Sequence, residues 1–189
     1  MNTGDVHYTT HWIGDSRRRD QDRERLTTAA ARQFYENHRE INVVDAADID
    51  ASGAPRPRWT IEFAGSDARV QFLDRNKAVR RRVDYEAIDG RLWRRSTYDY
   101  TYPDDSKQWD PSESMLKVES VVHPDGTGSL TILDRTECRP GNRLVSQYSG
   151  RAASTYWIHR PEFGDWTVLT LPGPSAYEVA GPEAVALAS

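Results

Sequence analysis

Two runs of alternating residue types, joined by Asp89-Gly90, make up residues 79–102, VRRRVDYEAIDGRLWRRSTYDYTY. A period of two between apolar and polar side chains indicates a β-strand. An Asp-Gly pair between two such runs is typical of a type I′ turn, which joins antiparallel strands through two residues. The stretch therefore predicts a β-hairpin, and the segments on either side of it extend the same pattern.

The register of this hairpin follows if Asp89-Gly90 is the whole loop. One face then carries five cross-strand pairs: Ala87–Leu92, Tyr85–Arg94, Val83–Ser96, Arg81–Tyr98 and Val79–Tyr100. The other face carries two opposite-charge pairs, Asp84 with Arg95 and Arg80 with Asp99, which are typical of a solvated surface. We therefore expect the first face, with its aliphatic side chains and tyrosines, to point inward.

Two arginines, Arg81 and Arg94, lie on the face that is predicted to point inward. A buried guanidinium is costly unless negative charge meets it. The sequence therefore predicts an anion beside them, which is an internal carboxylate, a ligand carboxylate or phosphate, or a partner protein. Asp134 shares strand parity with Leu130 and Ile132 and is the leading internal candidate. The alternative is that both arginines extend to water at the mouth of a barrel.

Seven further runs with strand-like patterns surround the hairpin. They are residues 59–63, 69–72, 114–123, 129–137, 143–149, 155–159 and 166–171. Short connections place such strands side by side and antiparallel. We expect a mainly β fold, an up-and-down meander over residues 59–171 that curls into a closed or half-open barrel, because curling removes exposed edges. An α+β cone of the NTF2-like type is the alternative.

Helical spacing is confined to a segment before these strands. Leu26, Ala30 and Phe34 recur every four residues in an otherwise polar stretch. This pattern predicts one amphipathic helix over residues 20–41, which covers the barrel as a lid or plug. The remaining segments are an irregular N-terminus (1–19), a connecting loop (45–58) and a C-terminal tail (172–189).

Composition and charge exclude several classes of protein. The chain has 189 residues, which suits one domain, and a net charge of −4 with an isoelectric point near 5.7. Such an acidic chain is disfavoured as a nucleic-acid binder, which needs a basic face. No apolar run approaches the roughly 18 residues of a membrane span, and Cys138 has no second cysteine to pair with. We therefore expect a cytoplasmic protein without a membrane partner.

The sequence contains no motif for a cofactor or a metal. Residues 125–128, Asp-Gly-Thr-Gly, lack the lysine and the following helix of a phosphate-binding loop. The ladder of Tyr98, Tyr100 and Tyr102, with Tyr85 on the same face, predicts either a core rich in tyrosine or an aromatic wall for a planar ligand. If the protein is an enzyme, we expect a cofactor-free cyclase, isomerase or lyase in which Tyr98 or Tyr100 polarises a carbonyl.

The predicted layout resembles calycin-like barrels and small β-barrel cyclases at the level of the fold, although the Gly-x-Trp signature of lipocalins is absent around Trp59. We expect a barrel that binds a small, largely apolar molecule with an acidic or enolisable group. The residues expected to bind this ligand are Arg81, Arg94, Tyr85, Tyr102 and Asp134.

The alternative function belongs to a different class, a protein-interaction module similar in role to an immunity or inhibitor protein. Residues 96–189 carry 7 basic and 13 acidic side chains. An acidic half of this kind can mask a basic site on a partner. The sequence also leaves a homodimer open.

Overall fold

Our computed structural model describes residues 6–10, 25–49, 56–136 and 143–181. Within these ranges the fold is mainly β, with a single antiparallel sheet of eleven strands. The strands are β1 (Val6–Thr9), β2 (Arg25–Leu26), β3 (Ile41–Asp45), β4 (Trp59–Ala64), β5 (Asp67–Leu73), β6 (Val79–Ile88), β7 (Arg91–Thr101), β8 (Leu116–Val122), β9 (Gly128–Asp134), β10 (Arg143–Tyr148) and β11 (Trp157–His159). The α-helices are α1 (Thr28–Glu36), α2 (Thr167–Thr170) and α3 (Ala176–Ala180). None of the helices in these ranges is long and apolar enough to cross a membrane.

The strands lie across the sheet in the order β10-β9-β8-β7-β6-β5-β4-β3-β1-β2, and β11 pairs with β7. From β3 to β10 each strand lies beside the next one in the chain, so the expected antiparallel meander is present. β10 and β2 stand at opposite ends of this order and do not pair with each other. The sheet of the described ranges is therefore open, and the predicted barrel is not closed.

Eight of the nine predicted strands are present. The ninth was predicted at the C-terminal end of the barrel domain, residues 59–171. Residues 166–171 contain the helix α2 instead of a strand. Trp166 and Leu169 are buried, whereas Val168 is exposed. Buried positions three residues apart suit a helical turn, while the alternation of a strand would have turned Trp166 and Val168 to the same side.

The predicted helix over residues 20–41 is shorter than expected. α1 begins after Thr27, whose side chain accepts a hydrogen bond from the backbone N–H of Ala30 at 3.2 Å, and it ends before Asn37. Ile41 already belongs to β3, whose five residues are all buried between β1 and β4. A strand buried on both faces has no alternation, so its first residue extended the apparent helical stripe. α1 also follows β1 and β2, and so does not precede the whole sheet.

Segments that were predicted to be irregular also contain structure. β1 lies within residues 1–19, and α3 lies within the predicted tail, 172–189. Residues 1–5 and 11–24, which include part of the predicted helix, are outside the described residues, as are 50–55 of the predicted loop and 182–189 of the tail.

The hairpin of β6 and β7 has the predicted turn, but it keeps the predicted register only near that turn. The two loop residues have φ angles of 50° and 76°, as a type I′ turn requires. Pairing follows the prediction as far as Tyr85 opposite Arg94, and then shifts by one residue, so that Asp84 lies opposite Ser96. Arg95 is the extra residue of a β-bulge, and a shift of one residue exchanges the faces of all positions beyond it.

This shift separates side chains that the sequence placed together. Arg81 lies opposite Asp99 instead of Tyr98. We call the face of the sheet that carries Arg81 and Arg94 the inner face, and the opposite face the outer face. Because of the shift, Tyr98 and Tyr100 lie on the outer face.

Both faces of the sheet are covered, but by different parts of the chain. On the inner face, the main core joins β1 and β3–β7 to α1 and to residues 163–169; its fully buried members include Ile41, Val43, Ile61, Phe63, Val70, Val83, Leu92 and Leu169. α3 continues this cover over β8 and β9. On the outer face, Tyr100 and Tyr102 pack with Ala78 and Trp109 in a smaller aromatic cluster.

Candidate anion-binding site

The inner-face arginine nearest to the turn, Arg94, is buried, with 8% of its surface exposed. Its Nε donates to Thr97 Oγ1 at 3.0 Å, and its Nη2 donates to the backbone oxygens of Pro174 at 2.8 Å and Pro172 at 3.5 Å. Burial lowers the pKa of this guanidinium. Among the described residues, every hydrogen-bond acceptor of Arg94 is therefore a neutral oxygen.

The second inner-face arginine, Arg81, has a carboxylate partner. Its Nε lies 2.5 Å from Asp99 Oδ1, and its side chain is 21% exposed. The other carboxylate oxygen, Asp99 Oδ2, accepts a hydrogen bond from the backbone N–H of Ala176 at 2.7 Å. Asp99 thus joins Arg81 to the first residue of α3.

A single backbone oxygen lies between the two guanidinium groups. Pro172 O is 3.4 Å from Nη1 of Arg81 and 3.5 Å from Nη2 of Arg94, both long for hydrogen bonds. Arg81 Nη1 also donates to the oxygen of Gly173 at 3.0 Å. The two arginines therefore share one acceptor position, which a neutral carbonyl fills.

These carbonyls belong to residues 171–175, which we call the strap. It runs between two fully buried residues, Leu169 in α2 and Ala176 in α3, and Leu171 within it is 64% exposed. Gly173 has a φ of +57°, and a Cβ at this position would lie 2.5 Å from Arg94 Nη1. The strap is therefore a thin, exposed segment that contacts Arg94 closely through its backbone.

The internal carboxylate was predicted to be Asp134, and this prediction is wrong. Asp134 lies at the end of β9 and accepts hydrogen bonds from the backbone N–H and the hydroxyl of Thr136, at 2.8 and 2.6 Å. These hydrogen bonds lower the pKa of its exposed carboxyl group. Asp99 takes the predicted role because the bulge brings it opposite Arg81.

The structure does not bring the two predicted catalytic tyrosines to the arginines. On the outer face, the rings of Tyr98 and Tyr100 are parallel to within 9°, with their centroids 6.4 Å apart. The guanidinium of Arg82 lies 3.9 Å from the centroid of the Tyr98 ring. Burial raises the pKa of Tyr100 to about 12, so its hydroxyl stays protonated at neutral pH. The hypothesis of a pocket that combines Tyr98 or Tyr100 with Arg81 and Arg94 is therefore corrected.

Of the two remaining predicted tyrosines, only Tyr85 stays beside the arginines. Tyr102 stacks on Trp109 on the outer face, and its hydroxyl donates to Val79 O at 2.8 Å. Tyr85 is buried on the inner face opposite Arg94. Burial raises the pKa of the Tyr85 hydroxyl, and the charge of Arg94 offsets part of this rise.

Sequence reasoning missed the strap and Asp99. Asp99 was assigned to the solvated face because the predicted register had no bulge. The strap carried one signal, the Pro-Gly-Pro sequence of residues 172–174. Two prolines around a glycine are typical of a turn or loop with exposed backbone oxygens, and such oxygens are suited to accept hydrogen bonds from arginines.

The described ranges contain no group of three or more His, Cys, Asp or Glu side chains that could hold a metal ion. The carboxylates of the loop after β7 are used within the protein. Asp105 pairs with Arg80, and Glu113 lies 3.2 Å from Lys107 Nζ and accepts from the backbone N–H of Asp110 at 2.9 Å. These contacts order the loop itself.

No protein-family model, curated protein or solved structure matches this chain. The chemistry of the site therefore rests on its own geometry. Two guanidinium groups converge on one oxygen position, one of them paired with a carboxylate and the other with neutral oxygens alone. Such an arrangement can bind an anion in the place of the strap carbonyls.

Proposed function

We propose that the protein binds a small organic anion at Arg94 and Arg81, on the inner face beneath the strap. The observation that supports this function is the buried guanidinium of Arg94, whose acceptors in the described residues are all neutral. A buried charge without a counterion is destabilising. A ligand that supplies the negative charge offsets this cost, which gives a physical reason for an arginine at this position.

The strap is the part of the site that has to move for the ligand to enter. A carboxylate adds the attraction of opposite charges to its hydrogen bonds with a guanidinium, and it can accept from two nitrogens of the planar group at once. The carbonyls of Pro172 and Pro174 are thus the weaker partners of Arg94, and they return to water when the exposed strap is displaced. Leu169 remains buried as the fixed end before the strap.

The apolar part of the ligand is proposed to lie along the inner face, against Tyr85 and the prolines of the strap. We propose that the open sheet curls around the ligand and acts in this way as a half-open, calycin-like barrel. The lone Cys138 of the sequence is the basis for expecting this activity in the cytoplasm.

Binding without chemistry is the form of the function that the geometry favours. The proposed cyclase, isomerase or lyase reaction needs a tyrosine donor next to the anion anchors, and Tyr98 and Tyr100 are on the outer face. Tyr85 is the remaining candidate for a hydroxyl that polarises a bound carbonyl. Any catalysis is therefore proposed to depend on Tyr85 and not on the ladder.

The experiment is a binding assay on the full chain and on two matched variants. Native mass spectrometry of the gently purified protein reports a retained small anion, and titration with benzoate, followed by tryptophan fluorescence, reports the affinity of the site. Arg94→Lys keeps the charge but loses the planar fork. Arg95→Lys makes the same change one residue away, on a side chain that is 51% exposed.

We expect Arg94→Lys to weaken benzoate binding about tenfold or more, since a lysine cannot replace a bidentate contact. Arg95→Lys should bind as the wild type does. The proposed function is wrong if the wild type retains no small molecule and does not bind benzoate, or if the two variants lose affinity equally.

The interaction module receives less support from the described contacts. Asp105 and Glu113, two of the acidic residues after β7, pair with Arg80 and Lys107. Charge reversal at Asp104, Asp105 and Asp110 would slow association with a basic partner and leave benzoate binding unchanged. Loss of benzoate binding in that variant would mean that the two functions share one surface.

A further inference from the structure

The two arginines of the proposed site differ in the negative charge that lies next to them. Arg81 already has the carboxylate of Asp99 at 2.5 Å. A second carboxylate, Glu178 in α3, is exposed and accepts the backbone N–H of Ser175 at 2.6 Å. The hydrogen bonds from Ser175 and, less strongly, the charge of Arg81 lower the pKa of Glu178. Arg81 thus has a carboxylate in direct contact. Arg94 has none at hydrogen-bond distance among the described residues, and the longer-range charge of Asp99 offsets part of the lowering of its pKa by burial.

The site therefore lacks one negative charge and not two. Resting on the proposed function, we propose that the natural ligand is a monoanionic carboxylate, and that Asp99 excludes phosphate dianions. A monoanion compensates Arg94 and leaves the pair of Arg81 and Asp99 intact. A phosphate dianion brings a second negative charge close to Asp99, where repulsion and the cost of desolvation oppose it.

The donors that the strap releases can bind a carboxylate. Pro172 O is the acceptor shared by Arg81 Nη1 and Arg94 Nη2, and Pro174 O is a second acceptor of Arg94 Nη2. Once the strap leaves, the two oxygens of a carboxylate can accept from Arg81 Nη1 and from Arg94 Nη2. Gly173 O is a third strap acceptor, 3.0 Å from Arg81 Nη1, so the selectivity against phosphate rests on the charge of Asp99 and not on the number of acceptor positions.

The test compares two probes that share a phenyl ring, benzoate and phenyl phosphate, by calorimetric titration at pH 7.5. We expect the wild type to bind benzoate about tenfold or more tightly than phenyl phosphate. Asp99→Asn removes the resident charge and keeps an oxygen that can accept from Ala176 N–H. This variant should move the preference toward phenyl phosphate by about tenfold. Asp105→Asn, which removes a carboxylate from an arginine on the outer face, is the control and should leave the preference unchanged.

A second arm needs no variant and decides the question if Asp99→Asn does not fold. Phenyl phosphate loses its second charge near its second pKa, roughly 6. Lowering the pH from 7.5 to 5 should therefore strengthen its binding to the wild type several-fold, while benzoate gains much less.

The outcomes separate the two proposals. If phenyl phosphate binds the wild type as tightly as benzoate at pH 7.5, or binds no better at pH 5, the selectivity for monoanions is wrong and the anion site stands. If neither probe binds at either pH, the proposed function itself fails.

Discussion

Each face of the β6–β7 hairpin carries two arginines, and the two pairs differ in the groups that compensate their charge. On the outer face, Arg82 has Asp84 at 3.2 Å and the ring of Tyr98 at 3.9 Å, and Arg80 has Asp74 at 2.9 Å and the ring of Tyr102 at 5.0 Å. On the inner face, Arg81 has Asp99, but Arg94 has only neutral oxygens among the described residues.

The difference between these faces is the basis of the proposal that Arg94 binds a ligand. The charge of a guanidinium that has both a carboxylate and an aromatic ring is compensated within the protein, although the buried Nε of Arg82 has no hydrogen-bond partner. Arg94 is the most buried of the four and has the fewest compensating charges. The comparison therefore predicts large losses of stability where a compensated network is broken, and losses of binding where Arg94 or its strap is changed.

The largest effect is expected at the outer-face carboxylate Asp84, which is buried. It accepts from Arg69 Nε at 2.9 Å and from the hydroxyl of Ser96 at 3.3 Å, besides its pairing with Arg82. Asp84→Ala leaves two partly buried guanidinium groups without this partner. We expect the free energy of unfolding in urea to fall by about 3 kcal/mol.

The control for this variant is Glu86→Ala on the same strand, where a half-exposed carboxylate lies 3.9 Å from Arg95. It should cost less than about 1 kcal/mol. Equal losses in the two variants would mean that the outer face is not a compensated network, and the comparison between the faces would break down.

The next effect is expected at Gly173 of the strap. Gly173→Ala introduces a Cβ next to Arg94 Nη1 in a backbone with a φ of +57°. We expect a loss of about 1 to 2 kcal/mol in unfolding free energy. Faster hydrogen exchange is expected at the Ala176 amide, which Asp99 binds in the closed strap. Because the strap competes with the ligand, benzoate should bind several-fold more tightly.

Gly65→Ala is the matched control, since Gly65 has a φ of +67° and nothing within 4 Å of a Cβ. It should show a similar loss of stability without a change in benzoate affinity or in exchange at Ala176. Unchanged or weaker benzoate binding in Gly173→Ala would show that the strap supports the site instead of competing for it.

A smaller effect on the unfolding free energy is expected from the outer-face residue Tyr100, and only at alkaline pH. Burial raises the pKa of Tyr100 from its ordinary value near 10 to about 12. A raised pKa in the folded protein means that the stability is complete below about pH 10 and is lost as the pH rises toward 12. Tyr100→Phe should therefore flatten the alkaline decline of the unfolding free energy. Parallel declines in variant and wild type would contradict this assignment.

Much of the sheet could be predicted because its strands are short, alternating and separated by turns with clear chemistry. Asp89-Gly90 predicted both the turn and the register beside it. The bulge at Arg95 could not be predicted, because Arg94 and Arg95 are the same residue type and neither marks the extra position. β3 was missed for a different reason, since a strand buried on both faces shows no alternation.

The candidate site was predictable in part. The expectation that Arg81 and Arg94 point inward and need acceptors followed from the hairpin alone, and both lie on the face whose Val83 and Tyr85 belong to the main core. The identity of the acceptors did not follow, because Asp99 depends on the bulge and the strap lies some 80 residues away in sequence, as its contacts with Arg94 show. Contacts over such a separation leave no periodic pattern.

The most direct test of the account is a paired measurement on Arg94→Met, which replaces the guanidinium by an apolar side chain of similar length. Benzoate titration and urea unfolding are carried out on the same preparations of variant and wild type. If Arg94 is kept for a ligand, the variant loses benzoate binding while its unfolding free energy stays within about 1 kcal/mol of the wild type, because removing a buried charge offsets the lost hydrogen bonds. A loss of several kcal/mol, together with no benzoate binding by the wild type, would show that Arg94 is a structural residue and that the inner face holds no anion site.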